Sequence, residues 1–161
     1  MTELYLIRHA RAVEQSTHDW ERPLLPAGRK EARSVGAALK RAGVAFDAIA
    51  CSPLVRAVET ATLMAVEVGY DGGLVIDPAL APDGSTAAML SVCGRLAGDR
   101  VALVGHEPSM GHLLSDLVGR PGMSMLKAGV VELSVQGAPV AGAAKLVWTI
   151  SPRQLTPQKG G

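Results

Sequence analysis

Four side chains could bring positive charge to one point: Arg8 and His9 in LYLIRHARAVE, residues 4 to 14, Arg56 in SPLVRAVETA, and His106 in VGHEPSMG. An imidazole exchanges protons, or attacks as a nucleophile, near neutral pH. A guanidinium offers a planar fork of donors that suits carboxylate and phosphate oxygens. No matching set of carboxylates accompanies the four groups, so the missing partner is expected to be a dianion, with phosphate the natural candidate.

Each residue has an ordinary explanation when taken alone. An Arg-His pair after an apolar run is what a solvated strand end looks like. Arg56 could pair with Glu59 at i+3 on an exposed helix face, and Glu107 could neutralise His106. What favours a shared site is recurrence, because three separate strand exits each carry a cation-capable group.

The strands and helices that must position these groups follow from hydrophobic period and punctuation. Leu4–Ile7 reads as a short strand covered on both faces, of the kind found inside a parallel sheet. A polar connection, Ala10 to Leu25, is long for an α/β link and so is expected to be functional. Pro26–Ala42 has helical spacing, Pro in its first turn and Gly43 just past its end. Residues 46–51 predict a second strand, and a second helix is expected from a Ser52 cap with Pro53 at its first position and a stop at Gly69. A weak strand at 74–77, a helix at 86–96, the strand RVALVG at 100–105 and a helix opened by Pro108 follow. Gly129–Val135 and Ala144–Ile150 predict the last two strands. The alternation predicts an α/β three-layer sandwich: a mostly parallel central sheet with helices on both faces. In such sheets ligands bind outside the carboxyl ends of the strands, where Arg8, His9, Ser52 and His106 emerge.

Composition narrows the function classes. The 161 residues are 48% hydrophobic but only 3% aromatic, which predicts one domain, residues 1–155, built on small aliphatics. The polar ending, residues 156–161, is expected to be a flexible tail. A net charge of +1 leaves no footprint for nucleic acid or a membrane surface, so any positive site must be local. Cys51 and Cys93 show no metal-ligand spacing, and no signal peptide precedes the first strand, which together predict a reducing cytoplasm. No cofactor and no metal are expected.

RHA after a first strand, SPLVRAVETA on a strand-to-helix passage and VGHEPSMG after a later strand together resemble the histidine phosphatase superfamily, with its phosphoglycerate mutase-like fold. The segment ERPLLPAGRKEA and the ending VWTISP resemble its small branch, that of the SixA phosphohistidine phosphatases. The resemblance implies His9 as the nucleophile that becomes a phosphohistidine, with Arg8, Arg56 and His106 holding the phosphoryl oxygens. It implies a substrate contact for Arg22, for which pairing with Glu21 or Asp19 is the alternative. The implied substrate is a phosphorylated histidine-containing protein or a small phosphorylated molecule.

The likeness has one gap. Larger members of the superfamily carry an acidic proton donor in a Leu-x-Glu segment, where this chain has Leu80-Ala81-Pro82. Asp83 stands next to it as a possible general acid, or as a turn residue bonding its own backbone. The leading expectation is therefore a phosphohistidine phosphatase, because an alkoxide leaving group needs a proton. A small-molecule phosphomonoesterase and a phosphate-recognition module without turnover are the alternatives. His18 and His112 receive no role.

Overall fold

A computed structural model describes residues 1–160. Seven strands form one sheet: β1 (Thr2–Arg8), β2 (Ala48–Cys51), β3 (Leu74–Ile76), β4 (Arg100–Gly105), β5 (Val130–Val135), β6 (Ala144–Ser151) and β7 (Gln154–Lys159). The order across the sheet is β3-β2-β4-β1-β5-β6-β7. The first four strands of that order run parallel, and β5, β6 and β7 continue antiparallel from β1.

Side chains alternate across the sheet as the pleat requires. Tyr5, Ile7, Ile49, Cys51, Ala102 and Val104 face one core, shared with α1 (Pro26–Arg41) and α2 (Val55–Val68). Leu4, Leu6, Ala50, Val101 and Leu103 face the other, shared with α3 (Thr86–Arg95) and α4 (Ser109–Val118). This is the three-layer sandwich expected from the sequence. Each fully buried Leu or Ile contributes about 1.5–3 kcal/mol of transfer free energy, so both layers are firmly anchored to the sheet.

Three boundaries differ from expectation for physical reasons. The second helix starts at Val55, three residues after Ser52, because the Ser52 hydroxyl accepts from Leu54 N–H at 3.2 Å and meets His106 instead of capping a helix. The second strand starts at Ala48 because the Asp47 carboxylate is spent on the Asp99 and Arg100 backbone N–H groups. The expected flexible tail is, through Lys159, the outer part of β7, paired with β6; Gly161 lies outside the described residues. Pro157 disguised that strand, since proline fits a ladder only at a sheet edge, and β7 is the edge.

The long first connection is pinned in place. Leu25 N–H donates to Arg11 O at 2.9 Å, and Val13 N–H donates to Pro23 O at 2.9 Å. Gly28, buried in the first turn of α1, lies so close that a Cβ there would run into the Arg11 carbonyl. Cys51 and Cys93 are free thiols belonging to opposite layers. Among the described residues no helix is long and apolar enough to cross a membrane, and no three His, Cys, Asp or Glu side chains gather as metal ligands would.

Candidate active site

The carboxyl ends of β1, β2 and β4 are neighbours in the sheet, and they bring His9, Ser52 and His106 together. The His9 and His106 rings lie 5.1 Å apart between centroids. His9 N–H donates to Gly105 O at 3.0 Å, stitching the two strand exits to each other. Both rings are buried, as is Arg56 at 5% exposure. A helix-surface Arg56 paired with Glu59 is thereby ruled out: Glu59 accepts from Arg29 and Leu24 N–H instead.

The tautomer of His9 follows from its partner. Its Nδ1 lies 2.7 Å from the Ala10 carbonyl, which only accepts, so Nδ1 carries the hydrogen and Nε2 carries the lone pair. Burial pushes the His9 pKa down to about 4, against its hydrogen bond to Ala10, with Arg56, Arg8 and Lys127 lowering it further. Burial thus outweighs the cations in keeping Nε2 unprotonated. The chain beyond His9 is fixed as well, since Ala10 N–H donates to Thr60 Oγ1, which itself donates to Arg56 O on the first turn of α2.

His106 Nε2 lies 2.8 Å from Ser52 Oγ. The Ser52 oxygen already accepts from Leu54 N–H, and its hydrogen has no other acceptor in this fully buried position. The arrangement that pairs the buried Ser52 hydrogen is therefore Ser52 O–H donating to Nε2, which places the His106 hydrogen on Nδ1. Nδ1 is shielded from solvent and has no partner. Burial lowers the His106 pKa to about 3, helped by His9 and Arg56 and opposed by Asp19. Glu107 is not what balances His106; its charge instead supports Arg8, whose pKa burial lowers.

The two arginines are aimed by carbonyls from distant segments. Arg8 Nη1 donates to Met125 O at 2.8 Å, and Arg56 Nη1 donates to Asp19 O at 2.9 Å. The Nε atoms of both are buried without partners. A second Arg56 bond, Nη2 to Asp19 Oδ2 at 3.2 Å, brings in a carboxylate that sequence reasoning missed. Asp19 lies in a short 3-10 turn of the first connection, 37 residues from Arg56, and only its place near Arg22 hinted at it.

Arg22 donates to Val13 O at 2.7 Å and to Asp19 Oδ1 at 2.9 Å, the Asp19 pairing named as its alternative. Its guanidinium and that of Arg56 hold the Asp19 carboxyl below the usual carboxylate range, Arg22 contributing most. Asp83 is exposed in a turn closed by Gly84 N–H to Ala81 O, with no side-chain hydrogen bond of its own into that turn. No contact joins it to Arg8, His9, Arg56 or His106 among the described residues.

The family described as histidine phosphatase superfamily (branch 1) matches residues 4–81, a span that includes Arg8, His9 and Arg56. An uncharacterized protein of Picosynechococcus sp. is 32% identical over 166 residues, covering 96% of this chain and 99% of its own. The structure of the protein histidine phosphatase SixA complexed with tungstate superposes with a TM-score of 0.85 at 22% identity, over 96% of this chain and 100% of that one. A phosphoserine phosphatase from Entamoeba histolytica, in complex with 3-phosphoglyceric acid, does so with a TM-score of 0.69 at 18% identity, over 96% and 100%. At these identities the structural likenesses establish the fold.

Proposed function

Because this chain belongs to the histidine phosphatase superfamily, we propose that it hydrolyses phosphohistidine carried on a protein, through a covalent intermediate on His9. The neutral His9 ring, with its Nε2 lone pair free, attacks phosphorus and forms a new N–P bond while the bond to the substrate imidazole breaks. That imidazole leaves with a proton from solvent. Water then attacks the phosphoryl group, and inorganic phosphate departs as His9 regains its lone pair. Phosphoryl transfer needs in-line positioning and charge stabilisation above all. Arg8, Arg56 and His106 Nδ1–H supply the donors, and their unpartnered atoms would be satisfied by phosphoryl oxygens.

The observation that carries the phosphohistidine reading is the state of Asp19. It is the carboxylate bonded to this cationic cluster, and two arginines keep it ionised. An ionised carboxylate has no proton to give an alkoxide, whereas a phosphorylated imidazole can take its proton from solvent on the distal ring nitrogen near neutral pH and leave as neutral imidazole. Asp83, exposed and without contact to the cluster, leaves the same gap. The description protein histidine phosphatase for the SixA relative agrees with this reading.

The test compares a phosphohistidine peptide, a small phosphoramidate and phosphoserine on one preparation of wild type, His9→Ala and Asp83→Asn. Preference for the two phosphoramidates, loss of turnover in a folded His9→Ala and little change in Asp83→Asn are the expected results. Equal efficiency on phosphoserine together with a large loss in Asp83→Asn would make Asp83 the general acid, and the chain a phosphomonoesterase. Binding of phosphate without turnover of any substrate would leave a recognition module.

A further inference from the structure

Beside the catalytic cluster lies a groove of about 440 Å³ whose rim includes Arg8, Arg11, Lys127 and Arg153. Its one carboxylate, Glu31, is committed to Arg11 at 2.6 Å. A second groove of the same volume shares Arg11, Glu31 and Arg153 with the first and adds Lys30. Lys30, Lys127 and Arg153 are exposed and take part in no ion pair among the described residues. The whole chain carries a net charge of only +1, so this face concentrates positive charge that the rest of the surface cancels.

The face is assembled from four separate parts of the fold. Arg8 ends β1, Lys30 lies on α1, Lys127 lies in the segment between α4 and β5, and Arg153 lies in the turn between β6 and β7. Arg8 belongs to both the groove and the phosphate cluster, so a chain lying in the groove would run directly into the site. Leu126, 60% exposed on the same rim, offers an apolar contact.

We propose that this groove docks an acidic segment of the phosphoprotein substrate, lying beside its phosphohistidine, and so selects among phosphorylated proteins by flanking charge. The proposal rests on the phosphohistidine reading for the identity of the substrate, but the groove's preference for acidic chain is measurable without it. The site's own cations address the phosphoryl group; Lys30 and Arg153 address what surrounds it. Complementary charge of this exposed kind acts within about a Debye length, roughly 8 Å at physiological salt, so the docking should weaken as salt rises.

The experiment uses the full chain and a Lys30→Glu/Arg153→Glu double variant. Two phosphohistidine peptides, one flanked by Asp and Glu and one by Ser and Gly, are compared with a small phosphoramidate, and binding of the unphosphorylated peptides is followed by fluorescence anisotropy. Wild type is expected to favour the acidic peptide roughly tenfold in kcat/KM through KM, as two or more exposed pairs would give, with the advantage shrinking in salt. The double variant is expected to lose that advantage and its anisotropy signal while keeping wild-type turnover of the phosphoramidate. Equal treatment of the two peptides by wild type in both assays overturns the proposal, as does a double variant that binds the acidic peptide unchanged. A single-stranded DNA of matched charge that binds as tightly as the acidic peptide also overturns it. Acidic-peptide binding lost in the double variant, without turnover of any phosphohistidine, would refute the phosphohistidine reading and still support the groove.

Discussion

Ser52→Ala should damage catalysis through a histidine it never replaces. The hydroxyl lies in a fully buried position, donates to His106 Nε2 at 2.8 Å and accepts from Leu54 N–H at 3.2 Å. Its removal strands a buried backbone donor, which costs about 1–3 kcal/mol. For a chain of this size each kcal/mol lowers Tm by about 2–4 °C, so a fall of several degrees is expected. The same change frees His106 to place its hydrogen on Nε2, which turns Nδ1 from donor to acceptor. If the lost hydrogen bond had biased the tautomer by about 1 kcal/mol, kcat/KM for a phosphoramidate should fall by up to about fivefold. His106→Ala, which deletes the donor itself, should cost on the order of a hundredfold or more. Nitrogen NMR of the imidazole reads the tautomer directly, alongside steady-state kinetics. Wild-type kcat/KM together with an unchanged tautomer in a folded Ser52→Ala would refute the assignment of His106 as an oriented donor.

The pH dependence of stability follows from the two depressed histidines. Both have folded pKa values below the unfolded value of about 6.5, near 4 for His9 and near 3 for His106, so the unfolded chain takes up protons first as pH falls. Stability contributed by their neutral forms is full above about pH 6.5 and should decline as pH drops from there toward 3, and His106→Asn should make that decline shallower in urea melts. The acid limb of kcat/KM assigned to the free enzyme should likewise lie well below pH 6; a limb near 6.5 would contradict a buried neutral His9. Asp19→Asn should leave the fold nearly unchanged, since its side chain is largely exposed, while loosening Arg56 and raising KM severalfold for every phosphorylated substrate. An Asp19→Asn enzyme that instead loses kcat on phosphoserine alone would point to proton donation by Asp19.

Local signals carried most of the layered architecture and the four cations. The continuous apolar run of β1, the proline at the start of α1 and the glycine after α2 are written within a few residues of where they act; Gly69, at φ +81°, ends α2 in the left-handed region. The candidate site was legible because Arg8, His9 and His106 lie at strand ends and Arg56 lies in the first turn of the helix that follows one. What escaped depends on contacts across long stretches of chain. Ser52 looks like a helix cap until His106, 54 residues later, comes beside it. Asp19 looks like a loop acid until α2 presents Arg56 to it. The strand β7 escaped for a different reason: its proline and polar composition read as tail, and only the free edge of β6 makes a strand of it.

Each member of the candidate cluster is oriented by a hydrogen-bond partner, local for His9 and from a distant segment for the other three. The Ala10 carbonyl sets His9, Ser52 at the end of β2 sets His106, the segment before β5 sets Arg8 through Met125, and the first connection sets Arg56 through Asp19. Burial of these groups is costly if they stay charged and unpaired. The histidines answer that cost by remaining neutral, which is the state a nucleophile needs. The arginines cannot shed their protons at accessible pH, so they depend on carbonyl acceptors and on Asp19 until an anion arrives. The device that tolerates the buried cations is thus the same one that aims them at the place a phosphoryl group would occupy. Changes at exposed positions of the first connection or of the segment before β5 should therefore act on turnover more than on folding, whereas Ala10, Ala12, Leu24, Met125 and Ala128 of those segments belong to the core and should act on folding as well.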